Sequence, residues 1–302
     1  MIRPVASPLL ECVPNVSEGR DLRAVEAIAF AVRRVPGARL ADVHADPDHH
    51  RSVFTFLGAP QAVEEAALAL AAAVFARVDM REHRGIHPRM GALDVLPFVP
   101  LRDLTMADAV AVARRVGERL GREHGLPVYF YGAAATRAER RAVRDIRMGE
   151  YEGLPHKLAD PAWRPDCGPA TFNPRVGAVA VGARDVLVAY NVWLDSTDLG
   201  AATAVARAVR ESSGGLARVQ ALGLPLERRG LVQVSMNLLD YRRTGIARAY
   251  DAVTAEAARR GIAIRRAELV GLAPRAAFEG RAPETVGLPD LTGNAYLDTY
   301  LS

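Results

Sequence analysis

The chain has 302 residues, half of them hydrophobic and a quarter charged, which excludes a disordered or low-complexity chain and leaves one large domain or two small ones. The formal net charge is only +4, and the positive side chains are arginines scattered along the chain, with Lys157 the one lysine. That pattern excludes a basic tail and suits anionic small molecules, because the guanidinium fork binds planar carboxylates in bidentate fashion.

The two cysteines, Cys12 and Cys167, form neither a CxxC pair nor a disulfide framework, so a reducing, cytoplasmic setting is expected. The opening Met1-Ile2-Arg3-Pro4 lacks the apolar core of a secretory signal. The most apolar run, Ala66 to Val78, is too short to span a bilayer. No membrane partner is expected.

The elements follow in order. Leu9 to Val16 is short and apolar and ends at Ser17-Glu18-Gly19, a strand and its turn. Leu22, Val25, Ile28 and Val32 recur at helical spacing over Asp21 to Val35, and Pro36-Gly37 stops the helix. Ala38 to His44 and Ser52 to Leu57 read as strands joined by the turn Asp46-Pro47-Asp48. An alanine-rich helix over Gln61 to Val78 is followed by a strand over Ala92 to Val99. Thr105-Met106-Ala107-Asp108 has the form of a capping box opening a helix to Gly125. A short strand at Pro127 to Tyr131 and a helix at Glu139 to Met148 complete the first half.

From Gly149 to Val176 five prolines break any regular element, as expected of a functional segment or a linker. The rhythm then restarts. Val176 to Val181 and Val186 to Trp193 read as strands, and Asp198 to Arg210 as a helix capped by Ser196. Arg218 to Leu222 and Leu231 to Asp240 read as a hairpin. Ile246 to Arg260 is a helix, Ile262 to Leu272 a strand, and the tail beyond Arg281 irregular. Each half thus carries the split βαβ order. The expected fold is α+β: two ferredoxin-like subdomains, residues 1–180 and 181–302, with facing sheets and a ligand groove between them.

The chemistry concentrates at Arg81-Glu82-His83-Arg84-Gly85-Ile86-His87-Pro88-Arg89-Met90-Gly91-Ala92-Leu93-Asp94. Its glycines and proline argue for a loop, and histidine suits proton transfer near neutral pH. A solvated loop is the plainer reading of the same residues. A zinc site at His83 and His87, four residues apart, would need a helix that Gly85 and Pro88 oppose, and no HExxH is present. No metal is expected there. His44, His49 and His50 read as turn residues.

The run His83 to Phe98 resembles the signature of the glutamate formiminotransferase family, which includes the formiminotransferase part of formiminotransferase-cyclodeaminase. Glu11-Cys12-Val13-Pro14-Asn15-Val16-Ser17-Glu18-Gly19 is similar to the family's opening. The resemblance continues through Val128 to Gly132, Gly149 to Gly153, Val181 to Arg184 and Gln233 to Asp240, over about residues 9 to 277. It implies two ferredoxin-like subdomains, a homodimer, and no cyclodeaminase part in the short remaining tail. It also implies transfer of a formimino group from N-formiminoglutamate to N5 of tetrahydrofolate, as in histidine degradation. On this resemblance His87 is the catalytic histidine. The folate segment falls on Gly168, Pro169, Ala170, Thr171, Phe172, Asn173, Pro174, Arg175, Val176 and Gly177.

Within that frame Phe172 is either a stacking platform for the pteridine or a core residue, and Arg175 a partner for the folate glutamate tail. Arg89 and Arg184 are candidates for substrate carboxylates or, equally, members of structural ion pairs. Ile86 and His44 depart from the mammalian pattern, which is acidic at both positions. They bear on donor choice, because a neighbouring carboxylate would raise the histidine pKa. Formyl transfer to or from glutamate is the alternative reaction, and a folate carrier without catalysis the alternative class. A nucleic-acid binder ranks last, for lack of an aromatic sheet face.

Overall fold

Strand alternation and helical stripes become two separate sheets, each with its own helices. The computed structural model describes residues 7–301, so the Met1-Ile2-Arg3-Pro4 opening lies outside them. The chain divides into two compact units, one ending at Arg184 and the other beginning at Asp185.

In the first unit the opening strand is interrupted at Val13-Pro14, giving β1 (Leu10–Cys12) and β2 (Asn15–Val16). Helix α1 (Leu22–Arg33) follows, its first amides bound by the Asp21 carboxylate. Then come β3 (Ala38–Asp46), β4 (Arg51–Gly58), α2 (Pro60–Arg77) and β5 (Leu93–Pro100). Both β1 and β2 pair antiparallel with β4 on one side and β5 on the other, and β3 pairs with β4. This is the βαββαβ order of a ferredoxin-like unit.

Helix α3 (Met106–His124) then leads to β6 (Val128–Gly132). Both halves of the capping box form, Thr105 on the Asp108 amide and Asp108 on the Thr105 amide, and Gly125 closes the helix at φ 59°. The expected strand at Val176 to Val181 is β7 (Val179–Ala183), and it does not open the second unit. It lies between β5 and β6, parallel to both. The proline-rich segment is therefore internal to the first unit. The helix expected at Glu139 to Met148 is reduced to one turn, α4 (Val143–Ile146), after a 3-10 turn at Ala138–Arg140. A second short helix, α5 (Leu154–Ala159), lies inside the proline-rich stretch.

Alternation along the strands sorts the two faces of this sheet. Leu10, Phe54, Phe56, Leu96, Phe98 and Val181 meet α1, α2 and α3 in one core. On the other face Val95, Tyr129, Tyr131, Ala178 and Ala180 are covered by Ile146, Leu154 and Leu158. The irregular segment thus forms the second layer over one end of the sheet.

The second unit runs β8 (Val188–Leu194), α6 (Leu199–Val209), β9 (Val219–Leu226), β10 (Leu231–Leu238), α7 (Ile246–Ala258) and β11 (Ile264–Val270). Its order β11-β8-β10-β9 is wholly antiparallel and ferredoxin-like. Val192, Val205, Val234, Met236 and Val253 belong to its separate core. Asp198, not Ser196, caps α6, its carboxylate accepting the Ala201 amide. Ser196 accepts the Asp198 amide one step earlier. Among the described residues no helix is long and apolar enough to cross a membrane.

Candidate active site

Three chain segments of the first unit meet at a small recess lined by Ser17, His49, His50, Arg51, His83, His87, Arg89 and Asp94. Ser17 follows β2, His49 to Arg51 close the β3–β4 turn, and the others come from the loop before β5 and its first residues. The turn is held by Asp46, whose carboxylate accepts the Asp48 and His49 amides at 2.7 and 2.8 Å, the local bonding that favours aspartate in turns. Gly85 lets the histidine loop pass over this turn. A Cβ there would stand 2.6 Å from the His49 carbonyl and 3.0 Å from the His83 ring.

Half-buried His87 is bonded at both ring nitrogens. Its Nδ1–H donates to the Pro88 carbonyl at 2.8 Å, and its Nε2 accepts from Arg51 Nη1 at 2.7 Å. This pairing defines the tautomer, with the lone pair on Nε2. The Arg51 guanidinium also donates to Asn15 Oδ1 at 3.0 Å. Desolvation pushes the His87 pKa well below the usual histidine range, and the charges of Arg51 and Arg147 push it the same way. The ring is thus held neutral, the state of a proton acceptor.

His83 supports the loop from beneath. Its Nε2–H donates to the His50 carbonyl at 2.9 Å, while Nδ1 accepts from Arg89 Nε at 3.3 Å. Burial lowers its pKa to about 4, against the His50 carbonyl, which favours the proton. The His50 and His83 rings stack at 4.2 Å, 9° from parallel. His50 donates from Nδ1 to the Arg84 carbonyl at 3.0 Å, and its Nε2 lies 3.3 Å from Glu18. Burial would raise the Glu18 pKa, but His50 and the Asp21 and Arg20 amides outweigh it and hold it at about 2. Both nitrogens of His83 and of His87 are therefore engaged by protein groups, not turned toward a shared ligand.

Arg89 is buried and clamped. Its Nη1 and Nη2 grip Glu152 at 2.8 and 2.5 Å, and Nη1 also reaches Glu150 at 3.0 Å. This ties the histidine loop to the Gly149–Gly153 turn, where Glu150 adopts φ 54°. Asp94 receives the Met90 amide at 2.9 Å and pairs with Arg147. Arg184 does not line the recess. Its amide donates to the Phe98 carbonyl at 3.1 Å, and its side chain lies near Glu11 and Tyr131. Burial lifts the Glu11 pKa to about 7 despite the Arg184 charge.

Of the Gly168–Gly177 segment, Val176 and Gly177 are buried and the rest is exposed or half-buried. Its end is stitched to the histidine loop: the Ala92 amide donates to the Val176 carbonyl at 2.9 Å, and the Ala178 amide to the Met90 carbonyl at 3.0 Å. A Cβ on Gly177 (φ +68°) would strike the Met90 carbonyl and stand 2.8 Å from the Gly91 Cα. The close approach made by this glycine is thus to the histidine loop itself. Phe172 rests on Tyr151 with ring centroids 5.5 Å apart. Exposed Arg175 donates to the Ala76 carbonyl at 3.3 Å.

The order of these segments along the chain matches two family models. The formiminotransferase domain, N-terminal subdomain, covers residues 9–184, and the formiminotransferase domain covers residues 189–282. The chain belongs to the formiminotransferase family. Its division after Arg184 falls between the two matches. The glutamate formimidoyltransferase of Streptococcus pyogenes is 40% identical over 270 residues, covering 89% of this chain and 90% of that protein. Its counterpart in Thermoplasma acidophilum is 44% identical over 272 residues, with 89% of each covered. The formimidoyltransferase-cyclodeaminase of Sus scrofa is 44% identical over 274 residues, and the chain spans half of that longer protein.

Arg51, Asn15, Asp94 and the glutamates at 150 and 152 were not singled out by residue reasoning. All but Arg51 lie inside runs that carry the family resemblance. Arg51 stands at a strand start with no periodic signal, and only the fold brings it to His87.

Proposed function

We propose that the chain transfers the formimino group of N-formimino-L-glutamate to N5 of tetrahydrofolate, with His87 carrying the proton. The observation that supports this reading most is a neutral His87 whose Nδ1 is committed to the Pro88 carbonyl, in a family member similar along its length to glutamate formimidoyltransferases. In this mechanism N5 attacks the formimino carbon and a tetrahedral intermediate forms. The N5 proton passes to Nε2 of His87. The intermediate then collapses, and the departing glutamate nitrogen takes the proton back. Holding the two substrates together supplies much of the remaining acceleration.

The same reading places folate along Gly168 to Gly177, supported by the tether of Val176 and Ala178 to the histidine loop. Arg89 serves the loop's geometry through its two glutamates, which supports an indirect role for it. Arg184 is kept as a candidate for a substrate carboxylate. The reaction as written draws on no metal. A cytoplasmic homodimer fits the family, and two free cysteines fit a reducing compartment. The test is to incubate the purified chain and tetrahydrofolate with N-formiminoglutamate or with N-formylglutamate. Formation of 5-formiminotetrahydrofolate from the first donor supports the reading. Turnover of the formyl donor alone would replace it with formyl transfer, and folate binding without turnover of either would make the chain a carrier.

A further inference from the structure

One side chain joins the histidine loop to the segment proposed for folate. Glu150 and Glu152, which flank Tyr151 in sequence, both grip the Arg89 guanidinium. The Tyr151 amide donates to the Arg89 carbonyl at 2.9 Å, and the guanidinium lies 5.8 Å from the centre of the Tyr151 ring, within cation–π range. The turn that carries these residues is tight. The Gly153 amide donates to the Gly149 carbonyl at 2.7 Å, and a Cβ on Gly153 would stand 2.6 Å from that oxygen. Backbone and side chain of Arg89 thus fix Tyr151 to the loop that holds His87.

The same tyrosine reaches the other way. Its hydroxyl donates to the Pro174 carbonyl, and its ring meets Phe172 with centroids 5.5 Å apart and planes tilted by 54°. From Gly168 to Arg175 every residue is exposed except Phe172. The ends of this stretch are held elsewhere. A Cβ on Gly168 (φ +77°) would strike the Leu126 carbonyl, and the Arg175 carbonyl accepts the Met80 amide at 2.9 Å. Tyr151 holds the middle.

The transfer reaction needs such a link. Its two reacting partners must meet in a narrow range of geometry, and a misplacement of about 1 Å can cost about 10² in rate. Resting on the reaction and the folate placement above, we propose that Tyr151 is a positioning residue that sets the folate segment at a fixed distance from His87. Tyr151 does not itself line the recess, so its loss is felt as position and not as a missing contact in the recess. With Glu150 and Glu152 still on Arg89, the loop side stays held and the damage falls on the segment.

The test compares the wild-type chain with Tyr151→Phe, which loses only the hydroxyl, Tyr151→Leu, which loses the ring as well, Phe172→Leu, and the double variant of Tyr151→Leu with Phe172→Leu. It records the thermal midpoint, the Kd for tetrahydrofolate by calorimetry, kcat and the donor KM. Hydrogen exchange over residues 168–177 is followed by mass spectrometry with and without tetrahydrofolate. Tyr151→Phe should weaken folate binding about two- to tenfold, the range for one hydrogen bond, with the donor KM unchanged. Tyr151→Leu should lower kcat by about tenfold or more and speed exchange across the segment. The double variant should be no worse than Tyr151→Leu, because both changes break the same link.

A Tyr151→Leu enzyme with a lower thermal midpoint but wild-type kcat and folate Kd overturns the proposal, since the side chain would then only support the fold. So does a double variant whose losses are the sum of the single ones. Wild-type protein whose segment exchanges alike with and without tetrahydrofolate overturns the folate placement and the proposal with it. That outcome is distinct, because it is read on the wild type alone.

Discussion

In the proposed mechanism His87 is a base prepared by its surroundings more than by its own chemistry. Desolvation, then Arg51, Arg147 and His49, all oppose its protonation, and only the Pro88 carbonyl favours the proton. The sign of the pH effect follows. A histidine that must be neutral to react, and whose pKa is depressed, stays active below the pH at which an ordinary histidine is half protonated. The acid limb of kcat/KM, which reports the free enzyme, should therefore lie below about pH 6.5. A rate profile over buffers of constant ionic strength checks this, and a limb at or above that pH would mean the ring is not desolvated as described. At the same scale, Ile86 and His44 offer His87 no carboxylate. Without a carboxylate at either, nothing from those two side chains raises the His87 pKa.

The elements convert this local chemistry into a rigid site. The histidine loop is held from three sides: by Ser17, whose hydroxyl donates to the Gly91 carbonyl at 2.7 Å; by Arg89 on its two glutamates; and by the segment ending at Gly177. Gly91 is where two of these supports converge. A Cβ there would collide with the Ala178 carbonyl and stand 2.6 Å from the Val176 carbonyl. Gly91→Ala should cost about 1–3 kcal/mol, the range for forcing a methyl into a packed site, with a matching fall in transfer rate. Urea unfolding measures the first and initial rates the second. An alanine variant of unchanged stability would show that the two segments are not packed as described. A folate test on the neighbouring segment is better made at exposed Arg175 than at Gly177, whose replacement would disturb the histidine loop directly.

How far the sequence carried the reading differs between these elements. The helices α1 and α3 were legible because their stripes, caps and stops are local, and α2 because its alanine-rich run favours helix. The capping box at Thr105 and Asp108 forms as its spacing requires. The placement of β7 was not legible, since a strand looks the same whichever sheet receives it, and its parallel pairing with β5 and β6 depends on residues far away in sequence. The one-turn α4 was over-read as a longer helix because polar residues at helical spacing say little without a core to face. Among the recess residues, His83 and His87 stand out through their loop motif, and only the family resemblance prefers His87. Arg51 does not stand out, because its role arises from a contact between residues 36 apart.

At the scale of the whole molecule, two ferredoxin-like units carry separate cores. The recess and the loops that brace it belong wholly to the first. The second unit has a complete antiparallel sheet in the order β11-β8-β10-β9, with α6 and α7 supplying its core. A chain of about this size can fold alone when its apolar face is covered. Residues 185–301 expressed by themselves should therefore give a dispersed amide spectrum and a cooperative thermal transition. A collapsed, non-cooperative product would show that this core depends on the first unit.

The central claim is that a neutral His87 moves the proton in formimino transfer. The most direct measurement is the initial rate of 5-formiminotetrahydrofolate formation by the wild-type chain and by His87→Ala, with folate binding measured on both by calorimetry. Loss of the acid–base group should lower the rate by about 10²–10⁴ while folate affinity is retained. A His87→Ala enzyme that turns over at close to the wild-type rate would contradict the account.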